Sequence, residues 1–266
     1  MATSKNRYSR IIEAIFNKYY QKGATEISFK RPDITRAAEE LEIRLPKNLG
    51  DVLHSFRYRA DLPNSIVKKA PEGYEWIIRP AGRAQYKLVL VPKVAIGPSG
   101  MLAETKIPDA TPGVIARYSL TDEQALLAKL RYNRLIDIFT GLACYSFQSH
   151  LRTSVPDIGQ VETDEIYIGI DKRGAHFILP VQAKGKADKI GIVQIEQDFA
   201  LCARNFSGLV CRSIAAQLME NQLIALFELK QNVKEGIRIS AERHYRLVNP
   251  EDLSAEELET YRNRPI

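Results

Sequence analysis

At 266 residues, with 45% hydrophobic and 26% charged residues, the chain has an ordinary globular composition and room for two modest cores or one large one. A formal net charge of +6 leans toward a polyanionic partner without requiring one. Cys144, Cys202 and Cys211 are odd in number and lack CxxC spacing, so neither a disulfide framework nor a zinc site is indicated, and the polar N-terminus and absence of any membrane-length apolar run predict a cytoplasmic protein with no membrane partner.

In chain order, Ile12, Ile15, Phe16 and Tyr19 recur at helical spacing, and Gly23 closes that helix. Ile27 to Phe29 reads as a short strand. Arg31-Pro32-Asp33 opens a second helix, with proline in the first turn and an acid at the positive end of the dipole. Asn48 caps a third, whose apolar positions are Leu49, Val52, Leu53 and Phe56. The short segment Ser65 to Lys69 follows, then Tyr74 to Ile78 and Tyr86 to Val91 as a β-hairpin.

Helix, strand, two helices and a hairpin resembles a winged helix over residues 1–92. That resemblance implies that the third helix enters the major groove while the hairpin touches backbone or minor groove. Lys47, Asn48, His54, Arg57, Tyr58 and Arg59 on or near the third helix, with Lys68, Lys69, Arg79 and Arg83 around the hairpin, are the expected double-stranded DNA contacts. Trp76 and Tyr74 read as core. Residues 93–118, broken by Pro92, Gly97, Pro98, Gly100, Pro108, Pro112 and Gly113, read as a connection able to lie across the second domain, 119–266.

Thr121 with Gln124 spells a capping box, predicting one helix to about Phe139 or Thr140. Glu162 to Lys184 then carries two strand-like runs about the turn Lys172-Arg173-Gly174. Alternation puts Glu162 and Asp164 on one face, and Gln182 and Lys184 on one face with Leu179, Val181 and Ala183 opposite. Oxygen donors beside an ammonium are what Mg2+-dependent phosphodiester hydrolysis needs.

Asp164, followed eighteen positions later by Gln182-Ala183-Lys184, resembles the PD-(D/E)XK nuclease superfamily and its type II restriction-endonuclease branch. The resemblance implies a mixed α/β fold in which Asp164, the Ala183 carbonyl and Gln182 hold Mg2+ and Lys184 handles the nucleophile. Gln182 departs from the Asp or Glu of the pattern. The missing charge is assigned to Glu162, with Glu196 and Asp137 as the other candidates. Pro156-Asp157 ranks below Asp164 because it lies outside the strand-like run.

Pro180 points to an edge, bulge or strand end rather than a central ladder. Lys186 joins the expected DNA contacts. Ile192, Ile195, Phe199 and Cys202 mark an amphipathic helix. Residues 214–219 and 223–227 read either as one helix or as two strands about the turn Glu220-Asn221; strands continuing the sheet in parallel are expected, with 237–239 and 245–248 extending it.

The function expected is a homodimeric Mg2+-dependent endonuclease cutting double-stranded DNA at a short sequence. A winged-helix regulator with a non-catalytic second domain, or a junction or repair nuclease of the same superfamily, are the alternatives. No phosphate-binding loop indicates a nucleotide cofactor, and His54, His150, His176 and His244 sit in no triad or metal spacing.

Overall fold

The computed structural model describes residues 7–264 except 59, 95, 120, 157, 187 and 233–235, and the side chains of 54, 57 and 58 are likewise outside it. The first unit holds α1 (Arg7–Tyr19), β1 (Glu26–Lys30), α2 (Arg31–Glu40), α3 (Gly50–Tyr58), α4 (Asn64–Val67), β2 (Tyr74–Pro80) and β3 (Gln85–Pro92). Its antiparallel sheet runs β1-β3-β2. Ile12, Ile15 and Phe16 of α1, Ile34 and Ala38 of α2, and Val52 and Leu53 of α3 meet Trp76, Ile78 and Leu88 in one core. These are the apolar positions that helical and strand periodicity select. Trp76 is core, with Phe16 edge-on to it at 5.3 Å, whereas Tyr74 is exposed, contrary to expectation.

The second unit begins inside the stretch read as a connection. β4 (Glu104–Pro108) is followed by α5 (Gly113–Tyr118), α6 (Asp122–Tyr132), α7 (Leu135–Thr140), β5 (Ala143–Val155), β6 (Gly159–Ile170) and β7 (His176–Lys184). Then come α8 (Ile192–Asn205), β8 (Val210–Cys211), β9 (Ser213–Leu218), β10 (Leu223–Asn232), β11 (Gly236–Val248) and α9 (Ala255–Arg262). The sheet order is β4-β11-β10-β9-β7-β6-β5, with β8 also on β7. Leu126, Leu130, Leu135 and Ile136 of α6 and α7 cover one face with Tyr167, Leu179, Val181 and Ala183. On the other face α8 packs Ile195 against Ala215 and Phe227, and Leu201 and Cys202 against Val161, Ile166 and Ile178. The result is a mixed α/β layer structure with helices on both sides of the sheet.

Several expectations are corrected. β4 pairs in parallel with β11, so part of 93–118 is an edge strand. The helix after Thr121 breaks at Arg134, which has a left-handed φ of 50°. Asn133, 6% exposed, is committed to the connection there: its Oδ1 accepts from Ala110 N at 2.6 Å and its Nδ2 donates to Thr111 Oγ1 at 2.9 Å.

β8 and β9 pair in parallel with β7, but β10 pairs antiparallel with β9 because the turn at 220–222 reverses the chain at once, and β11 pairs antiparallel with β10. β11 is a single strand rather than two pieces. Pro180 sits in the centre of the sheet, paired with Ile166. The absent N–H has a counterpart on the other side, where pairing to β8 stops at Ile178 and resumes with β9 at Val181.

α3 and β2 pack against α8. Arg79 grips Glu196 with two guanidinium nitrogens, one of them Nε at 2.7 Å from Oε2. No helix among the described residues is long and apolar enough to cross a membrane.

Candidate active site

Asp171 builds the turn between β6 and β7, its Oδ1 accepting from Arg173 N at 2.8 Å and Ala175 N at 2.9 Å, while Gly174 takes a φ of 81°. β6 and β7 pair regularly back to Glu165 and Val181. Beyond that point the Asp164 side chain intervenes: its Oδ2 accepts from the Ala183 main-chain N–H at 2.8 Å. The carboxylate is thereby fastened to the middle of the Gln182-Ala183-Lys184 element.

β6 does not alternate evenly through this point. Thr163 bonds Asp198 on α8, whereas Glu165, two residues on, bonds Arg131 on α6, across the sheet. Residues two apart share a face in a regular strand, so the strand changes face at Asp164. The partner strand is irregular at the same place. His150, between the pairs Ser149–Glu165 and Leu151–Thr163, has a φ of 49°.

This displaces Glu162. Its carboxylate pairs with Arg152 on β5 at 2.9 Å, and its contribution to the site is the main-chain oxygen that accepts from Gln182 Nε2 at 3.2 Å. Glu196 is held by Arg79 on the outer side of α8. Asp137 bonds Arg134 and accepts from Cys144 N at 2.9 Å, tying α7 to β5. Neither completes the site, and Asp157 lies outside the described residues.

Gln182 is fully buried, and its Nε2 lies 3.1 and 3.0 Å from the two oxygens of Asp198. Thr163 Oγ1 donates to Asp198 Oδ1 at 2.6 Å. Burial pushes the Asp198 carboxyl up to about 7, against those hydrogen bonds. Asp164 is also raised, by burial first, with the Lys184 charge and the Ala183 N–H opposing it. Lys184, its side chain 11% exposed, places Nζ 3.6 Å from Glu123 Oε1 in the first turn of α6. Burial raises Glu123 as well; Lys184 offsets part of this, while Asp164 and Asp188 add to it. Gln217 Nε2 on β9 donates to Asp188 O at 3.2 Å and to Gly185 O, fixing the exit from β7.

Glu123 and Asp198 were missed by sequence reasoning. Glu123 was absorbed into the capping box. Asp198 had a readable signal: it falls three after Ile195 and four before Cys202, a charge on the apolar stripe of its helix.

Gln182, Asp164 and the Ala183 carbonyl supply oxygen, the donor type a hard divalent cation takes, and such a cation would favour the ionised form of carboxyls that burial raises. Oδ1 of Asp164 takes no hydrogen bond from a described residue. The residues therefore fit Mg2+, although among the described residues no three His, Cys, Asp or Glu side chains gather as a metal-holding group. One carboxylate, one amide and one carbonyl make a weakly charged set.

Of the expected DNA contacts, Lys47, Lys68 and Lys69 are exposed. Asn48 instead caps α3, accepting from Gly50 N at 3.1 Å and donating to Asp51 Oδ1 at 2.9 Å. Lys186 lies 3.8 Å from Glu220. Arg79 is engaged with Glu196, while Arg83 is exposed in the hairpin turn. The side chains of His54, Arg57 and Tyr58, and all of Arg59, lie outside the described residues. No protein-family model matches the chain, and no curated protein or solved structure matches it either.

Proposed function

We propose that the protein is a Mg2+-dependent endonuclease that hydrolyses phosphodiester bonds of double-stranded DNA at a short specific sequence, in the manner of type II restriction enzymes. The observation that carries this reading is the 2.8 Å bond from Ala183 N–H to Asp164 Oδ2, which gathers an acid, an amide and a lysine from two strands at one end of a buried hairpin. Asp164, Gln182 and the Ala183 carbonyl hold the cation. When bound, Mg2+ supplies charge neutralisation at a phosphate oxygen and easier loss of a proton from water.

Lys184 has a distinct part. Its stem is buried and its ammonium is steered by Glu123, so a positive charge stands at the phosphate approach without wandering into solvent. It orients the attacking water and balances charge developing on phosphorus. Glu123 replaces Glu162 as the acid that sets this geometry. The exposed Lys47, Lys68, Lys69 and Arg83 of the first unit, whose element order is that of a winged helix, support backbone contact with a duplex. Two strand cuts call for two sites, hence a homodimer.

The neutral Gln182 and the thin set of acids favour one other reading, a sequence-specific DNA binder whose second unit does not cut. Plasmid cleavage with and without Mg2+ separates the two. Asp164→Ala and Lys184→Ala are each expected to lower the rate by about two orders of magnitude or more. Undiminished cleavage by both removes the nuclease assignment, and duplex binding with no Mg2+-dependent nicking establishes the binder.

A further inference from the structure

Gln182 raises a question of orientation. An amide carries an acceptor oxygen at one end and two N–H donors at the other, so it serves a cation only with oxygen leading. The side chain has no preference of its own; its neighbours impose one. Nε2 faces both Asp198 oxygens, at 3.1 and 3.0 Å, and the Glu162 main-chain oxygen at 3.2 Å. The Glu162 peptide carbonyl can only accept, and a carboxyl group offers the amide an acceptor oxygen in either protonation state, so the nitrogen is drawn to them. The amide oxygen is left with one long contact, 3.4 Å from Gln194 Nε2, at the far limit for such a bond.

Asp198 is itself held. It is fully buried, and Thr163 Oγ1 donates to its Oδ1 at 2.6 Å. Both of its oxygens are engaged by protein donors, which leaves neither turned to an ion. We infer that Asp198 is a positioning residue that holds Gln182 with its amide oxygen available to the cation, so that a carboxylate on α8 makes a neutral side chain serviceable where the pattern expects an acid. This rests on Asp164, Gln182 and Lys184 being the metal-dependent site. The carboxylate thus acts through the amide, as outer carboxylates do when they orient a metal's ligands.

The test is calorimetric titration of Mn2+ alone into the full chain without DNA, with the thermal unfolding of each metal-free variant as a check on folding. Asp198→Asn can present either end of its amide to Gln182 and is expected to weaken Mn2+ binding about tenfold or more. The exchange Gln182→Glu with Asp198→Asn is expected to bind at least as tightly as the wild type, because the new amide donates to the new carboxylate. A purely structural Asp198 predicts no such rescue.

Folded Asp198→Asn that binds within about twofold of wild type, or a double exchange still about tenfold weaker, overturns the inference. Should Asp198→Asn fail to fold, the double exchange alone decides. If Asp164→Ala binds Mn2+ as well as wild type, the metal-site reading itself falls; if Asp164→Ala loses binding and Asp198→Asn does not, only the positioning role falls.

Discussion

Replacing Arg131 by methionine isolates the contact that pins β6 on the α6 side of Asp164. The Glu165 side chain is 0% exposed, and its Oε1 accepts from Arg131 Nε at 3.0 Å, Arg131 Nη2 at 2.8 Å and Ser146 Oγ at 2.6 Å. Without the guanidinium, a carboxylate cut off from water keeps one neutral donor. Breaking a buried pair from one side typically costs about 3–5 kcal/mol, far more than the 0–1 kcal/mol of an exposed pair. Arg131 is 43% exposed, so the lower part of that range, about 3 kcal/mol, is expected. Removing both charges with Arg131→Met and Glu165→Leu should recover most of it, since nothing charged is then stranded in the interior. Urea unfolding at neutral pH measures both variants. A single-variant loss below about 1 kcal/mol, or a double variant no better than the single, refutes the account. Because Asp164 adjoins Glu165, the single variant should also cut more slowly than the double.

Asp33 holds the start of α2. Burial acts to raise its carboxyl, but Lys30 N–H at 2.7 Å and Tyr19 Oη at 2.8 Å, with Arg36, outweigh it and keep the group below the ordinary carboxylate value. Its contribution is therefore present above pH ~4 and lost as pH falls through the lower folded value. Asp33→Asn should cost about 1 kcal/mol at pH 7 and little in strong acid; a pH-independent loss in thermal unfolding contradicts this. Gly169→Ala places a Cβ 2.9 Å from Cδ1 of both Leu142 and Leu179, an overpacking worth about 1–3 kcal/mol, and an unchanged melting temperature would rule it out. Lys68→Ala with Lys69→Ala should flatten the dependence of log affinity on log salt by about 2 in duplex binding by fluorescence anisotropy, whereas an identical slope removes these lysines from the interface.

Much of the architecture follows from period alone. The stripes of α1, α2 and α8, the strands of the hairpin and the turn at Lys172-Arg173-Gly174 are local, and local signals are present in a single chain. What escaped depends on distant partners. β4 is five residues among prolines and glycines, and it becomes a strand because β11 offers an open edge. The break at Arg134 depends on Asn133 serving the Ala110 N–H and the Thr111 hydroxyl, more than twenty residues earlier. Asp164 and Lys184 were legible as residue types at a spacing, and Leu179, Val181 and Ala183 do fill the core opposite Gln182. Glu162 was misplaced because even alternation was assumed through Asp164, where helices on two sides pull β6 in opposite senses. Asp198 looked like another polar helix residue until its burial was known.

The anchoring of residues 104–108 alongside β11 also sets a leash. Between Pro92 at the end of β3 and Glu104 at the start of β4 lie only the eleven residues 93–103. Fully drawn out, such a segment reaches about 40 Å, and about 25 Å while Ser99 N stays bonded to Glu242 Oε1 at 2.7 Å. Even if the Arg79–Glu196 and Lys189–Asp61 pairs and the packing of α3 and β2 on α8 all let go, the first unit could move only within that radius.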